Sequence, residues 1–129
     1  MKLPIRLSKQ SREPIYHQIE KQIKQLIASG HLQAGTPLPS IRVLSKDLQV
    51  STITTRRAYQ NLEQDGFIET IQGRGTFVKA IDSYLKDEVK LKNITKQFDQ
   101  GIQTAFAYNY SQKQIKQIFS DVLKKYDES

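Results

Sequence analysis

Cysteine is absent from this chain of 129 residues. That excludes a disulfide framework, a thiolate metal site and a thiol nucleophile. Histidine occurs only at His17 and His31. His17 lies near Glu13 and Glu20, but no further ligand set and no nucleophile pair accompanies it. No apolar run approaches the roughly 20 residues that a membrane-spanning helix needs. The first ten residues, MKLPIRLSKQ, carry charges but lack the continuous apolar stretch of a secretion signal. A cytoplasmic protein is therefore expected, with no membrane partner. The chain has no internal repeat and no low-complexity segment. The Gly-Arg-Gly at 73–75 is not a phosphate loop, because the further glycine, the lysine and the strand-to-helix context are missing. Neither an enzyme nor a bound cofactor is expected.

What is present is ordinary in kind and uneven in placement. Hydrophobic residues make up 37% and charged residues 26%, enough for a folded domain with a real core. The net charge is +7. Residues 1–80 hold 12 Lys and Arg against 6 Asp and Glu, while residues 81–129 hold 8 against 7. The excess therefore sits in the first segment. A basic segment implies a polyanionic partner, with nucleic acid ahead of an anionic membrane.

Residues 1–12 read as an irregular basic arm. In EPIYHQIEKQIKQLIASG, Pro14 suits a first helical turn, Ile15, Ile19, Ile23, Leu26 and Ile27 share one face, and Gly30 follows the end. HLQAGTPLP is turn-rich. Ser40 then caps a short second helix carrying Ile41, Leu44 and Leu48. Only Gln49, Val50 and Ser51 separate it from a third helix, TITTRRAYQNLEQDG, capped by Ser51 and stopped at Gly66. Ile53, Ala58 and Leu62 are its expected inward residues. Two β-type runs, FIETI and TFVKA, flank Gln72-Gly73-Arg74-Gly75 and predict a hairpin. From Asp82 to about Tyr108 a long helix is expected. Asn109, Tyr110 and Ser111 break it, and Ser111 with Gln114 fits a capping box for a last helix. The expected fold is mainly α with a small β-hairpin: residues 10–80 form a winged helix-turn-helix, and residues 81–129 form a two-helix dimerisation tail.

The third helix carries the functional signal. Two helices joined by a tight turn, the second rich in hydroxyl and Arg side chains, make a helix-turn-helix. The DNA major groove admits one such helix, whose N-terminal half meets base edges. Ser51, Thr52, Thr54 and Thr55 offer hydroxyls to phosphates or bases, and Arg56 is best placed for a bidentate contact to guanine. Arg57 points about 100° away from Arg56 on an ideal helix and is expected to reach a phosphate or solvent. Arg74, at the tip of the hairpin, is suited to the minor groove.

These residues match a known family. Residues 34–78, AGTPLPSIRVLSKDLQVSTITTRRAYQNLEQDGFIETIQGRGTFV, resemble the winged helix-turn-helix of GntR-family transcription regulators. The specificity lies in the combination of LPSxRxL, VSxxTxxRAYxxLExxGxI and GxGTFV. With the preceding helix, the resemblance covers about residues 10–80, and the short tail resembles the YtrA subfamily. It implies a homodimeric regulator, usually a repressor, bound to a double-stranded DNA operator. Carried over by position, it implies DNA contacts from Arg42, Ser51, Thr52, Thr54 and Arg56, with Gly73 and Arg74 in or beside the minor groove. Many relatives have arginine where this chain has Thr52, so a strong guanine reader is missing. Ile53 stands where others often carry a polar residue; it either packs inward or touches a thymine methyl.

The tail's apolar stripes are too broad for a lone helical pair. Phe98, Ile102, Phe106, Ile115, Phe119 and Val122 are the expected dimer surface, the alternative being packing on the first helix of the same chain. Seven tail aromatics from Tyr84 to Tyr126 could line an effector pocket. However, 49 residues scarcely enclose a cavity of roughly a few hundred Å³ and still keep a core. Core or interface is the preferred role, with a cleft between protomers left open. The rival reading is a winged helix that binds protein rather than DNA, which would show acidic or neutral residues on the third helix and no wing arginine. RNA is disfavoured because its A-form major groove is too narrow for a helix.

Overall fold

The structure is a computed structural model and describes residues 2–127. Met1 and the last two residues of the 81–129 segment lie outside the described residues. The chain divides after Lys90 into two compact units. The first contains α1 (Ile15–Ala28), α2 (Ile41–Leu48), α3 (Thr52–Gln64), β1 (Ile68–Ile71) and β2 (Gly75–Val78). α4 (Ser83–Ala107) begins in the first unit and continues into the second, which ends with α5 (Gln112–Lys124).

Apolar spacing builds the core of the first unit. Ile19, Ile23 and Ile27 of α1 meet Leu44 of α2, Ala58, Tyr59 and Leu62 of α3, and Ile68 and Val78 of the hairpin. Each fully buried Ile or Leu contributes about 1.5–3 kcal/mol. The N-terminal arm is irregular, as its sequence implies, but it is not merely a basic tail. Leu3 and Ile5 are buried in the core. Two glutamines one turn apart on α1 hold its backbone: Gln22 accepts from the Arg6 amide at 2.9 Å and Gln18 from the Ser8 amide at 2.8 Å. Both donate back, Gln22 to the Arg6 carbonyl and Gln18 to the Ser8 carbonyl. At the other end Ile81, Leu85 and Val89 pack against the same core. The compact unit is therefore wider than residues 10–80, because apolar side chains on both flanks complete its core.

The helix ends follow their caps. Ser40 Oγ accepts the Val43 amide at 3.1 Å, and Ser51 Oγ accepts the Thr54 amide at 3.0 Å. Between them Gln49 holds φ 57°, a left-handed conformation that favours glycine. The strands pair antiparallel, Ile68 opposite Val78 and Ile71 opposite Gly75, and the loop before α2 adds a bridge from Pro37 to Phe77.

Two residues of α3 correct the sequence reading. Ile53 was read as an inward residue, with contact to a thymine methyl as the alternative, and at 76% exposure it does not pack inward. Thr55 was expected among the DNA-contacting hydroxyls and is fully buried. Its Oγ1 accepts from Ser45 Oγ at 2.8 Å and donates to the Ser51 carbonyl at 3.3 Å. The reason is angular. Thr55, Ala58, Tyr59 and Leu62 recur at three- and four-residue steps and form the inner face, which leaves position 53 outside.

The second unit has the expected helix, break and helix. Asn109 takes φ 67° at the break. Ser111 and Gln114 form the full capping box, with the Gln114 amide on Ser111 Oγ at 3.2 Å and the Ser111 amide on Gln114 Oε1 at 2.9 Å. Phe98 and Phe119 meet edge to face, ring centres 5.7 Å apart. No described residue from 91 onward is buried.

Two stability outcomes follow from the turn and the buried hydroxyls. Gln49→Gly is expected to raise stability by about 0.5–1 kcal/mol in denaturant titration, by relieving left-handed backbone. Thr55→Val is expected to cost about 1–3 kcal/mol, since the buried Ser45 hydroxyl loses its short-range partner. Adding Ser45→Ala to Thr55→Val should recover most of that loss, and a purely additive double mutant would contradict the account.

Candidate nucleic-acid interface

With one face of α3 committed to the core, the opposite face presents Ile53, Arg56 and Gln60 in line, one turn apart and all exposed. Thr52 stands exposed beside them. Ser51 is also exposed, but its hydroxyl is occupied as the helix cap and donates to Thr54 Oγ1 at 2.9 Å. The half-buried Thr54 thus receives that proton and keeps its own for an outside acceptor. α2 shows a shorter version of the same pattern, with Arg42 and Lys46 exposed one turn apart.

Arg57 does not join this row. Its guanidinium lies over the Tyr16 ring of α1, 3.9 Å from the ring centre. This cation–π contact ties α3 to α1, although Arg57 stays exposed, in keeping with its expected reach toward phosphate or solvent. Tyr59 makes a second tie. Its hydroxyl donates to the Pro39 carbonyl at 2.7 Å, and burial pushes its pKa upward, so it remains a neutral donor.

The wing is held from the same helix. Glu63 Oε2 accepts the Thr70 amide at 2.8 Å, and the Thr70 and Thr76 hydroxyls sit 3.2 Å apart across the hairpin. Gly73 at φ 81° and Gly75 at φ 119° allow the tight turn that leaves Arg74 exposed at its tip. Between wing and α3 runs an open cleft of about 310 Å³, lined by Arg56, Gln60 and Glu63 on one side and Thr70, Gly75 and Thr76 on the other.

The charges divide by face. Three ion pairs involve α1: Lys21 with Glu13 at 3.0 Å, Lys24 with Asp65 at 2.9 Å, and His17 beside Glu13 at 3.7 Å. Arg42, Lys46, Arg56 and Arg74 have no anionic partner among the described residues. In particular, Arg42 pairs with neither Asp47 nor Glu69. An array of unpaired cations, hydroxyls and one amide, with no nucleophile–base pair among them, is suited to binding a polyanion.

The structure brings Arg42, Ser51, Thr52, Thr54, Arg56, Gly73 and Arg74 to exposed or half-buried positions within the first unit, and it removes Thr55 to the core. Sequence reasoning missed Lys46 and Gln60. Each follows an expected contact by four residues, Arg42 and Arg56, and that spacing was the available signal. It also missed Glu63, whose part depends on a contact to the hairpin seven residues on.

The elements define a winged helix-turn-helix, a class built to place one helix and one hairpin on a duplex. Residues 15–78 match the family model described as "Bacterial regulatory proteins, gntR family". YtrA of Bacillus subtilis, a transcriptional repressor, is 37% identical over 98 residues, covering 76% of this chain and 75% of YtrA. A GntR family transcriptional regulator from Listeria monocytogenes has a similar structure, with TM-score 0.68, 27% identity, and 88% of this chain and 96% of that one covered. AraR(DBD), solved in complex with operator ORX1, gives TM-score 0.53 at 27% identity, covering 60% of this chain and 98% of that one. The chain belongs to the GntR family and has the short helical tail of its YtrA-like members. It is a DNA-binding transcription regulator and not an enzyme.

The tie between Glu63 and the wing has a direct readout. Glu63→Ala is expected to speed hydrogen exchange at the Thr70 amide by about tenfold or more, whereas Glu63→Gln keeps an acceptor oxygen and much of the protection. Equal exchange in all three proteins would show that the bond does not hold the wing.

Proposed function

We propose that the protein is a sequence-specific repressor that binds an inverted-repeat operator as a homodimer, acting at the promoter of its own operon in the cytoplasm. α3 enters the major groove, and Arg74 of the wing enters the minor groove. The observation that carries this reading is the charge division: Arg42, Lys46, Arg56 and Arg74 are exposed with no anionic partner among the described residues, while Lys21 and Lys24 of α1 are each paired with a carboxylate. A surface that keeps its cations unneutralised is poised to displace condensed counterions from a duplex. Arg56, Thr52 and Thr54 supply base readout, and Arg42 and Lys46 contact phosphate and set register. The names of YtrA, a repressor, and of the AraR–operator complex support the same reading.

The homodimer rests on the second unit. Phe98, Ile102, Phe106, Phe119 and Val122 are all more than 40% exposed, and only Ile115 of the six expected residues is half-buried. Ile94, Ile118 and Leu123 add to this apolar surface. So much exposed apolar surface on two helices calls for a partner, and a second copy satisfies it symmetrically. Two recognition helices then meet half-sites about one DNA turn apart. Repression follows from occupying a promoter and excluding polymerase.

Two outcomes test this. In fluorescence anisotropy on the DNA upstream of its own gene, Arg56→Ala is expected to cost about 1–3 kcal/mol and to relax preference at one base pair per half-site. Equal losses on a scrambled duplex would remove Arg56 from base readout, and no binding by the wild type even at low salt would favour a protein partner. Phe119→Glu is expected to shift sedimentation from dimer to monomer and to weaken operator binding by about tenfold or more. A monomeric wild type would overturn the dimer.

A further inference from the structure

Ile53 is the most exposed large apolar side chain of the first α3 turn, at 76%, and nothing among the described residues covers it. It is not at a random surface position. It shares the outward row of α3 with Arg56 and Gln60, so the row runs apolar, cationic, amide from the N-terminal end. Around it, Thr52 is exposed and polar, and the Ser51 and Thr54 hydroxyls are bonded to each other at 2.9 Å. A β-branched side chain of this kind has one preferred rotamer in a helix, so it projects as a rigid apolar knob.

On a major-groove surface the apolar feature a duplex offers is the C5-methyl group of thymine, and the other base edges present donors and acceptors. We propose that Ile53 is a specificity-determining residue that reads a thymine methyl, at a base pair next to or one removed from the pair read by Arg56. The three residues from Ile53 to Arg56 advance about 4.5 Å along the helix, about one and a third base-pair steps of about 3.4 Å, so the two side chains meet neighbouring pairs when α3 lies along the groove. Ile53 thereby supplies discrimination in the turn where Thr52 offers only a short hydroxyl. Its contact excludes cytosine, which has no methyl and presents an amino donor to an apolar surface. The inference rests on the reading of α3 as a major-groove helix.

The test uses the full-length wild type to select its site from random duplexes. Each thymine of the selected half-site is then replaced by deoxyuridine, which deletes only the methyl. One thymine per half-site is expected to matter, with wild-type affinity falling about fourfold for each methyl removed. The same replacement is expected to leave Ile53→Ala unaffected; that variant folds normally because the side chain is exposed, and it binds the thymine site as the wild type binds the uracil site. If the selected site binds equally well with uracil at every position, Ile53 does not read a methyl, although the DNA reading of α3 stands. A uracil penalty undiminished in Ile53→Ala assigns the methyl to another residue and overturns the proposal. If no preferred duplex emerges from selection, the sequence-specific reading fails, and this inference fails with it.

Discussion

The hydrogen bond between the Ser45 and Thr55 hydroxyls lies where α2 crosses α3, sealed from water. The two helices are joined by a turn so short that their relative angle follows from this crossing. A buried hydroxyl pair resists sliding, because any displacement would leave a polar group unsatisfied at a cost of about 1–3 kcal/mol. The caps at Ser40 and Ser51, the left-handed Gln49 and the inner residues Ala58 and Leu62 all presuppose that angle. With the inner face so fixed, the outer face of α3 has a definite direction, and Ile53, Arg56 and Gln60 are presented as a rigid row.

Two further ties make the row part of a larger surface. Arg57 over Tyr16 binds α3 to α1, and Glu63 on the Thr70 amide binds α3 to the wing. Adjacent arginines thus do different work. Arg57 has its charge placed over an aromatic ring, whereas Arg56 has no anionic partner among the described residues and lines the cleft beside the wing. Lys21 and Lys24 of α1 are neutralised by Glu13 and Asp65, whereas Arg42, Lys46, Arg56 and Arg74 on α2, α3 and the hairpin tip keep their charge exposed. Specific DNA recognition needs this combination: fixed geometry for base edges and free charge for the backbone.

The second unit follows another logic. Its helices are locally well specified, with a full capping box at Ser111 and Gln114, yet none of its described residues is buried. Phe98 against Phe119 is an edge-to-face contact between rings that stay half-exposed. Local signals produce the helices, and their apolar faces remain exposed on the single chain.

Periodicity, caps and glycine positions were legible from the amino-acid order alone. These are near-neighbour effects: a serine caps the helix that follows it, a glycine takes the positive φ of a turn, and a three- and four-residue apolar spacing marks a helix face. The helix-turn-helix, the hairpin, the two-helix tail and most of the exposed residues of the candidate interface follow from them. The order did not separate Thr55 from Thr54 or Ile53 from Ala58, because a threonine and an isoleucine suit either face of a helix. The rotation of α3 was decided by what lay beneath it, and the burial of Leu3 and Ile5 by a core built from residues tens of positions away. The fates of Arg56 and Arg57, Glu63's hold on the wing, and the arm bound by Gln18 and Gln22 were likewise decided in three dimensions. Each depends on a partner whose distance is set only once the elements have packed.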